Sequence, residues 1–82
     1  MDVSKGSAVE RIARVLAGQR LSANAKGDNA SAAAAVDATW SQYVDDARAV
    51  LRTLREPDSA MAEAGDPAIW ERMVLAALNE AG

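Results

Sequence analysis

Histidine and cysteine are both missing from this sequence. Their absence removes the commonest general base and the most reactive nucleophile. It also leaves carboxylates as the only side chains suited to holding a metal, and no calcium-loop spacing is present. The carboxylates are not placed for joint work either. Asp45 and Asp46 are adjacent, so on a helix they diverge by about 100°, and Asp37 is distant from both. The expectation is a protein with no catalytic residues, no metal and no cofactor.

Arginines are the groups most able to recognise a ligand. Arg48, Arg52 and Arg55 fall along one side of a helical pattern, beside Val44 and Leu51. Arg48 and Arg52 are i,i+4 neighbours, and like charges at that spacing repel. Asp45 near Arg48, and Glu56 near Arg52, offset part of this. A purely structural surface would alternate its signs more evenly. The strip therefore has three readings: a solvated flank, which is the plainest; a phosphate-recognition strip built on planar guanidinium forks; and a surface for an acidic protein. Arg11 and Arg14, on an earlier helical segment, join the strip if the two helices pack suitably. Trp40, Tyr43 and Trp70 have the π-faces needed to stack on a nucleobase. All three sit on apolar stripes, where core packing is the simpler account. Tyr43 is kept with the five arginines as a candidate ligand contact.

The elements that must position these groups are helical. Ser7-Ala8-Val9-Glu10 fits a capping box, and Val9, Ile12, Ala13 and Leu16 then recur on one face. Glu10 and Arg14 are spaced for an i,i+4 pair. Gly18 and Arg20 break the pattern, which puts the end of this helix between Ala17 and Leu21. Residues 1–6 read as a flexible N-terminus and residues 22–31 as a loop rich in turn formers. The alanine run at 32–35 leads into a second helix, with Asp28, Asn29 or Ser31 as its cap. Val36, Trp40, Tyr43, Ala47, Val50 and Leu54 recur at spacings of four and three, and Val44 and Leu51 widen the stripe. This predicts one helix of about 20–25 residues, roughly 30–37 Å long, stopped at Glu56 by Pro57. Val50 and Leu54 are expected to face the other helices together with Trp40. A short helical turn follows, capped by Asp58 or Ser59, anchored by Met61 and ended by Gly65 as a left-handed cap. Asp66-Pro67 restarts a helix that runs to about Asn79. Its stripe of Ile69, Trp70, Met73, Val74, Ala77 and Leu78 is wider than about 150°, and Leu75 lies outside it. No segment alternates with a period of two, so no strand is predicted.

Composition bounds the result. The chain has 82 residues and reads as one domain, and chains of this size bury only about 60% of their unfolded surface. Half of the residues are apolar, but 20 of these are alanine; the large ones are seven Val, six Leu, two Ile, three Met, two Trp and one Tyr. Alanine favours helix and contributes little burial, so the core is thin. The fold class expected is all-α: a small bundle of three main helices plus one short helical turn, completed by homo-oligomerisation. Leu75 and Leu78 are the expected subunit contacts. A net charge of −3 and an isoelectric point near 4.7 argue against general nucleic-acid or anionic-membrane binding. No stretch approaches the roughly 20 apolar residues of a membrane span. Cytoplasmic localisation is expected.

In the second half, Trp40-x-x-Tyr43, Ala47-Arg48-Ala49-Val50-Leu51, Leu54-Arg55-Glu56-Pro57, Met61, Ala64-Gly65, Trp70-x-x-Met73 and Ala76-Ala77-Leu78 occur in order. This set resembles a group of small uncharacterised helical proteins of bacteriophages, prophages and alphaproteobacteria, over about Trp40–Leu78. The resemblance implies a phage-type accessory protein that binds a component of the bacterial host, counter-defence being one frequent purpose. It assigns no role to any residue. The resulting expectation is a binding protein that sequesters a host nucleotide signal. The alternative is a protein-interaction module that inhibits a host defence complex. A small transcriptional regulator is a third reading. Arg72 as the one basic residue of the last helix argues against it, since a recognition helix needs more.

Overall fold

The computed structural model describes residues 3–25 and 32–80, and every regular element among them is helical. The order is α1 (Ala8–Ala25), α2 (Ala32–Thr39), a 3-10 turn (Trp40–Tyr43), α3 (Val44–Leu54), α4 (Ser59–Ala64) and α5 (Pro67–Asn79). The shape is elongated, 41 × 27 × 25 Å, with a radius of gyration of 14.8 Å. A compact chain of this length would have about 12 Å.

Helix α1 starts where the sequence places it. The Ser7 hydroxyl accepts the Glu10 amide at 3.1 Å. The Glu10 carboxylate does not reach back to complete the capping box; it takes the Arg14 Nε–H at 2.8 Å instead. The end of α1 differs from expectation. The helix continues through Ala25, so residues 22–25 are helical rather than loop; residues 26–31 lie outside the described part. The reason is tertiary. A glycine in a helix costs only about 1 kcal/mol, and the α-carbon of Gly18 faces α2, where an added Cβ would stand 3.8 Å from Val36 Cγ2. Buried Ala17 and half-buried Leu21 extend the packed face on either side.

The second helix predicted from the sequence is divided. Thr39 closes α2 with its hydroxyl donated to the Ala35 carbonyl at 2.7 Å, a back-bond that bends helices. The 3-10 turn begins at the next residue. Because such a turn has about 3.0 residues per turn instead of 3.6, a stripe counted across it loses phase. Helix α3 accordingly buries Ala47 and Leu51, with Val44 and Tyr43 partly covered. Val50 and Leu54, expected inside, are exposed, Leu54 at 41%. Trp40 is half-buried against the core, as expected.

Among the described residues the main buried cluster is Val9 and Ala13 of α1, Ala47 and Leu51 of α3, Val74 and Leu78 of α5. Ile12, Leu16, Trp40, Val44 and Trp70 pack around it. No polar side-chain atom among the described residues is buried without a partner. Leu78, expected at a subunit contact, is used inside the chain instead, because it lies one helical turn from Val74 on the side of α5 that faces α3. Two further expectations settle locally. Asp58, not Ser59, caps α4, accepting the Met61 amide at 2.9 Å. Gly65 ends α4 in an extended conformation (φ −156°, ψ −155°) rather than a left-handed one, and its N–H still donates to the Met61 carbonyl at 3.1 Å.

Candidate functional site

The arginine candidates sit in different surroundings. Arg14 is spent within the fold: Nε donates to Glu10 at 2.8 Å, Nη1 to Asp37 Oδ1 at 2.6 Å, and the guanidinium carbon lies 5.4 Å over the Trp40 ring. The Asp37 bond first, and the Glu10 bond second, hold its pKa above the ordinary arginine value. Two carboxylates already neutralise it, so it offers little to a phosphate. It clamps α1 to α2 and to the turn. Arg11 is exposed on the outer face of α1, where it edges a shallow concavity with Ala8, Ile12 and Val15. Arg48 is half-buried and Arg52 exposed on α3. Arg55 Nε stands 3.8 Å from Glu71 Oε2 on α5, a loose exposed pair of the kind worth about 0–1 kcal/mol. Tyr43 packs against the core. Neither the concavity beside Arg11 nor the groove between α4 and α5 is lined by Arg48, Arg52, Arg55 or Tyr43.

A different site is better formed. Between α4 and α5 runs an open groove of about 340 Å³. Pro57, Met61, Ile69, Trp70 and Met73 line its length, with Ala64, Gly65, Asp66 and Pro67 at the turn. Local chemistry builds it. Pro57 follows the end of α3, and Asp58 caps α4. Asp66 then accepts the Ala68 and Ile69 amides at 2.9 and 3.4 Å to start α5. The two caps fall so close in sequence that α4 has only six residues, too few to cover the apolar side of a 13-residue α5. At the far end the Trp70 indole N–H donates to the Leu54 carbonyl at 2.6 Å. This fixes the ring and satisfies a backbone acceptor at the C-terminus of α3.

The exposure left over is large. Met61, Ile69 and Met73 stay at 36%, 46% and 61%, and Leu54 and Val50 of α3 are exposed as well. Apolar surface of this size is costly to leave in water and marks interaction sites when it is contiguous. The chemistry available is contact and desolvation: no group of three or more potential metal ligands occurs among the described residues. The sequence marks Met61 as the anchor of the short turn and Ile69 and Met73 as part of the α5 stripe. The width of that stripe, greater than a single packing face covers, pointed to self-association, and nothing local marked a groove between α4 and α5. Leu75, the other oligomer candidate, is exposed at 37% on α5. No helix among the described residues is long and apolar enough to cross a membrane. Set against models of known families, curated proteins and solved structures, the chain matches none of them.

Proposed function

We propose that the protein is a non-enzymatic interaction module that binds another protein through the groove between α4 and α5. The observation that carries this reading is the exposed apolar lining of Met61, Ile69 and Met73, held on two firmly capped helices. A binding surface on rigid, pre-ordered elements spends less of its contact energy on ordering. The resemblance of residues 40–78 to phage and prophage proteins supports a bacterial host component as the partner, and a cytoplasmic one, with interference in host defence as the purpose. Nucleotide sequestration by Arg48, Arg52 and Arg55 has weaker support, since neither the groove nor the concavity beside Arg11 is lined by these side chains. Transcriptional regulation has weaker support still.

The test is capture from bacterial lysate by wild type, Met73→Glu and Arg52→Ala, with a thermal-shift screen against cyclic and linear nucleotides beside it. The expected result is a partner retained by wild type and Arg52→Ala and lost by Met73→Glu. A nucleotide that raises the melting temperature and fails to do so with Arg52→Ala would overturn the proposal.

Self-association is a second reading, favoured by the thin core: among the described residues, three of the seven buried apolar ones are alanine. Leu75 is then the expected contact. Light scattering should give at least two chains for wild type and one for Leu75→Glu.

A further inference from the structure

We infer that the occupant of the groove is a basic amphipathic helix; this rests on the reading of the groove as a protein-binding surface. The argument is one of sign and of surface. From Glu56 to Glu71 the chain carries Glu56, Asp58, Glu63, Asp66 and Glu71 and no lysine or arginine. All five carboxylates are exposed. They exceed the net charge of the whole chain, −3, so the groove end is markedly more acidic than the rest. The nearest guanidiniums in sequence, Arg55 and Arg72, do not balance them, and Arg55 already faces Glu71 at 3.8 Å. Opposite potentials across an interface select the partner and speed encounter, while like charges exclude the wrong one.

The lining fits a helix. Ile69, Trp70 and Met73 recur on α5 at the i, i+1, i+4 spacing that presents a ridge, and Met61 stands across from them on α4. Helix α5, at 13 residues, is about 20 Å long, which matches three to four turns of a docked helix reading through anchors at i, i+3, i+4 and i+7. The two methionines lend adaptable, polarisable contact of the kind that accepts varied apolar anchors. Selectivity then falls to Asp66 in the lining and to the other exposed carboxylates of the 56–71 segment. The backbone at Gly65 is extended, and a Cβ added there meets nothing within 4 Å. A large side chain at this position fills the groove without forcing the fold.

The probe is a pair of synthetic helical peptides of about four turns with leucines at i, i+3, i+4 and i+7. One carries lysine at the remaining charged positions and the other glutamate. Each is titrated calorimetrically into the full chain. The lysine peptide should bind at least about tenfold more tightly, and the preference should shrink severalfold at about 1 M salt, where the screening length falls to about 3 Å. Gly65→Leu and Met73→Glu should each weaken the lysine peptide about tenfold or more. The double variant Glu63→Gln/Asp66→Asn, which keeps a capping side chain at 66, should reduce the preference between peptides. Equal binding of both peptides, lost with Gly65→Leu, would overturn the basic partner and leave the groove as a docking site. Binding unaffected by Gly65→Leu and Met73→Glu would overturn both. Binding of neither peptide overturns the inference, as does a homodimer of the free chain that Met73→Glu dissociates, because a second copy then occupies the groove.

Discussion

The two ends of the molecule use apolar residues in opposite ways. Along α1, Val9, Ala13 and Ala17 repeat at i, i+4, i+8 and all three are fully buried. Their small side chains let α2, the 3-10 turn and α3 approach closely, and Ala47 meets them from α3. At the other end, Met61, Ile69 and Met73 are larger and more hydrophobic, yet each keeps a third or more of its surface in water. Burial here follows from what covers a residue, and hydropathy alone does not decide it. Alanines close the seam because nothing stands in the way of a second helix; methionines and isoleucine stay open because α4 is too short to lie over them.

If that contrast is right, the largest effect belongs to the junction of α1, α3 and α5. Leu51 is 7% exposed and sits in the cluster with Val74 and Leu78. Leu51→Ala should cost about 2–5 kcal/mol, the usual range for a buried leucine whose cavity only partly collapses. Leu54→Ala, three residues on, should cost much less, since much of that side chain is already in water. Urea titration of both variants measures the difference. Equal losses would mean that α3 is rotated relative to the arrangement described.

A smaller loss is expected from filling the seam instead of emptying it. Ala13 has no exposed surface and lies between α1 and its neighbours. Ala13→Leu adds three methylene-sized groups where close packing leaves no room, and should cost about 1–3 kcal/mol. Val15→Leu, on the outer face of the same helix, serves as the control and should stay within about 0.5 kcal/mol. Thermal melts of the pair would show whether the alanines are required for close approach or are merely good helix formers.

These positions also mark what the sequence made legible. The helix starts were readable because they depend on one or two residues: Ser7 with the Glu10 amide, Asp58 with the Met61 amide, Asp66 with the amides at 68 and 69. The apolar face of α1 was readable for the same reason, as a local periodicity of 3.6. What failed was any inference carried over a break. The back-bond of Thr39 and the 3-10 turn reset the phase of the stripe, so of the residues expected on it Leu51 is buried while Val50 and Leu54 are exposed. Gly18 read as an end because its packing partner, Val36, is remote in sequence. The groove was not readable at all as a site. Its residues were visible singly, but their exposure depends on the length of α4 and on how little else covers it, which are tertiary facts. The arginines show the converse: their spacing was visible, but that Arg14 is bound to Glu10 and Asp37 was not, because Asp37 lies on another helix.

The smallest effect should come from the position that looks most delicate in the sequence. A glycine between two helices suggests a backbone that only glycine can adopt, and the expected left-handed cap at Gly65 would have made any substitution costly. Its φ of −156° is ordinary extended backbone, and an added Cβ has no neighbour within 4 Å. Neither strain nor overlap opposes a side chain there, and replacing glycine reduces the freedom of the unfolded chain. Gly65→Leu should therefore leave the unfolding free energy from urea titration within about 0.5 kcal/mol of wild type or slightly above it, while placing four carbons in the mouth of the groove. This variant separates folding from binding at the open end as Ala13→Leu cannot at the closed one. A leucine at 65 that unfolded the protein would show that the turn between α4 and α5 is constrained in a way its dihedral angles do not express. A leucine that folds normally and blocks the lysine-rich peptide would place the binding surface where the apolar side chains have been left uncovered.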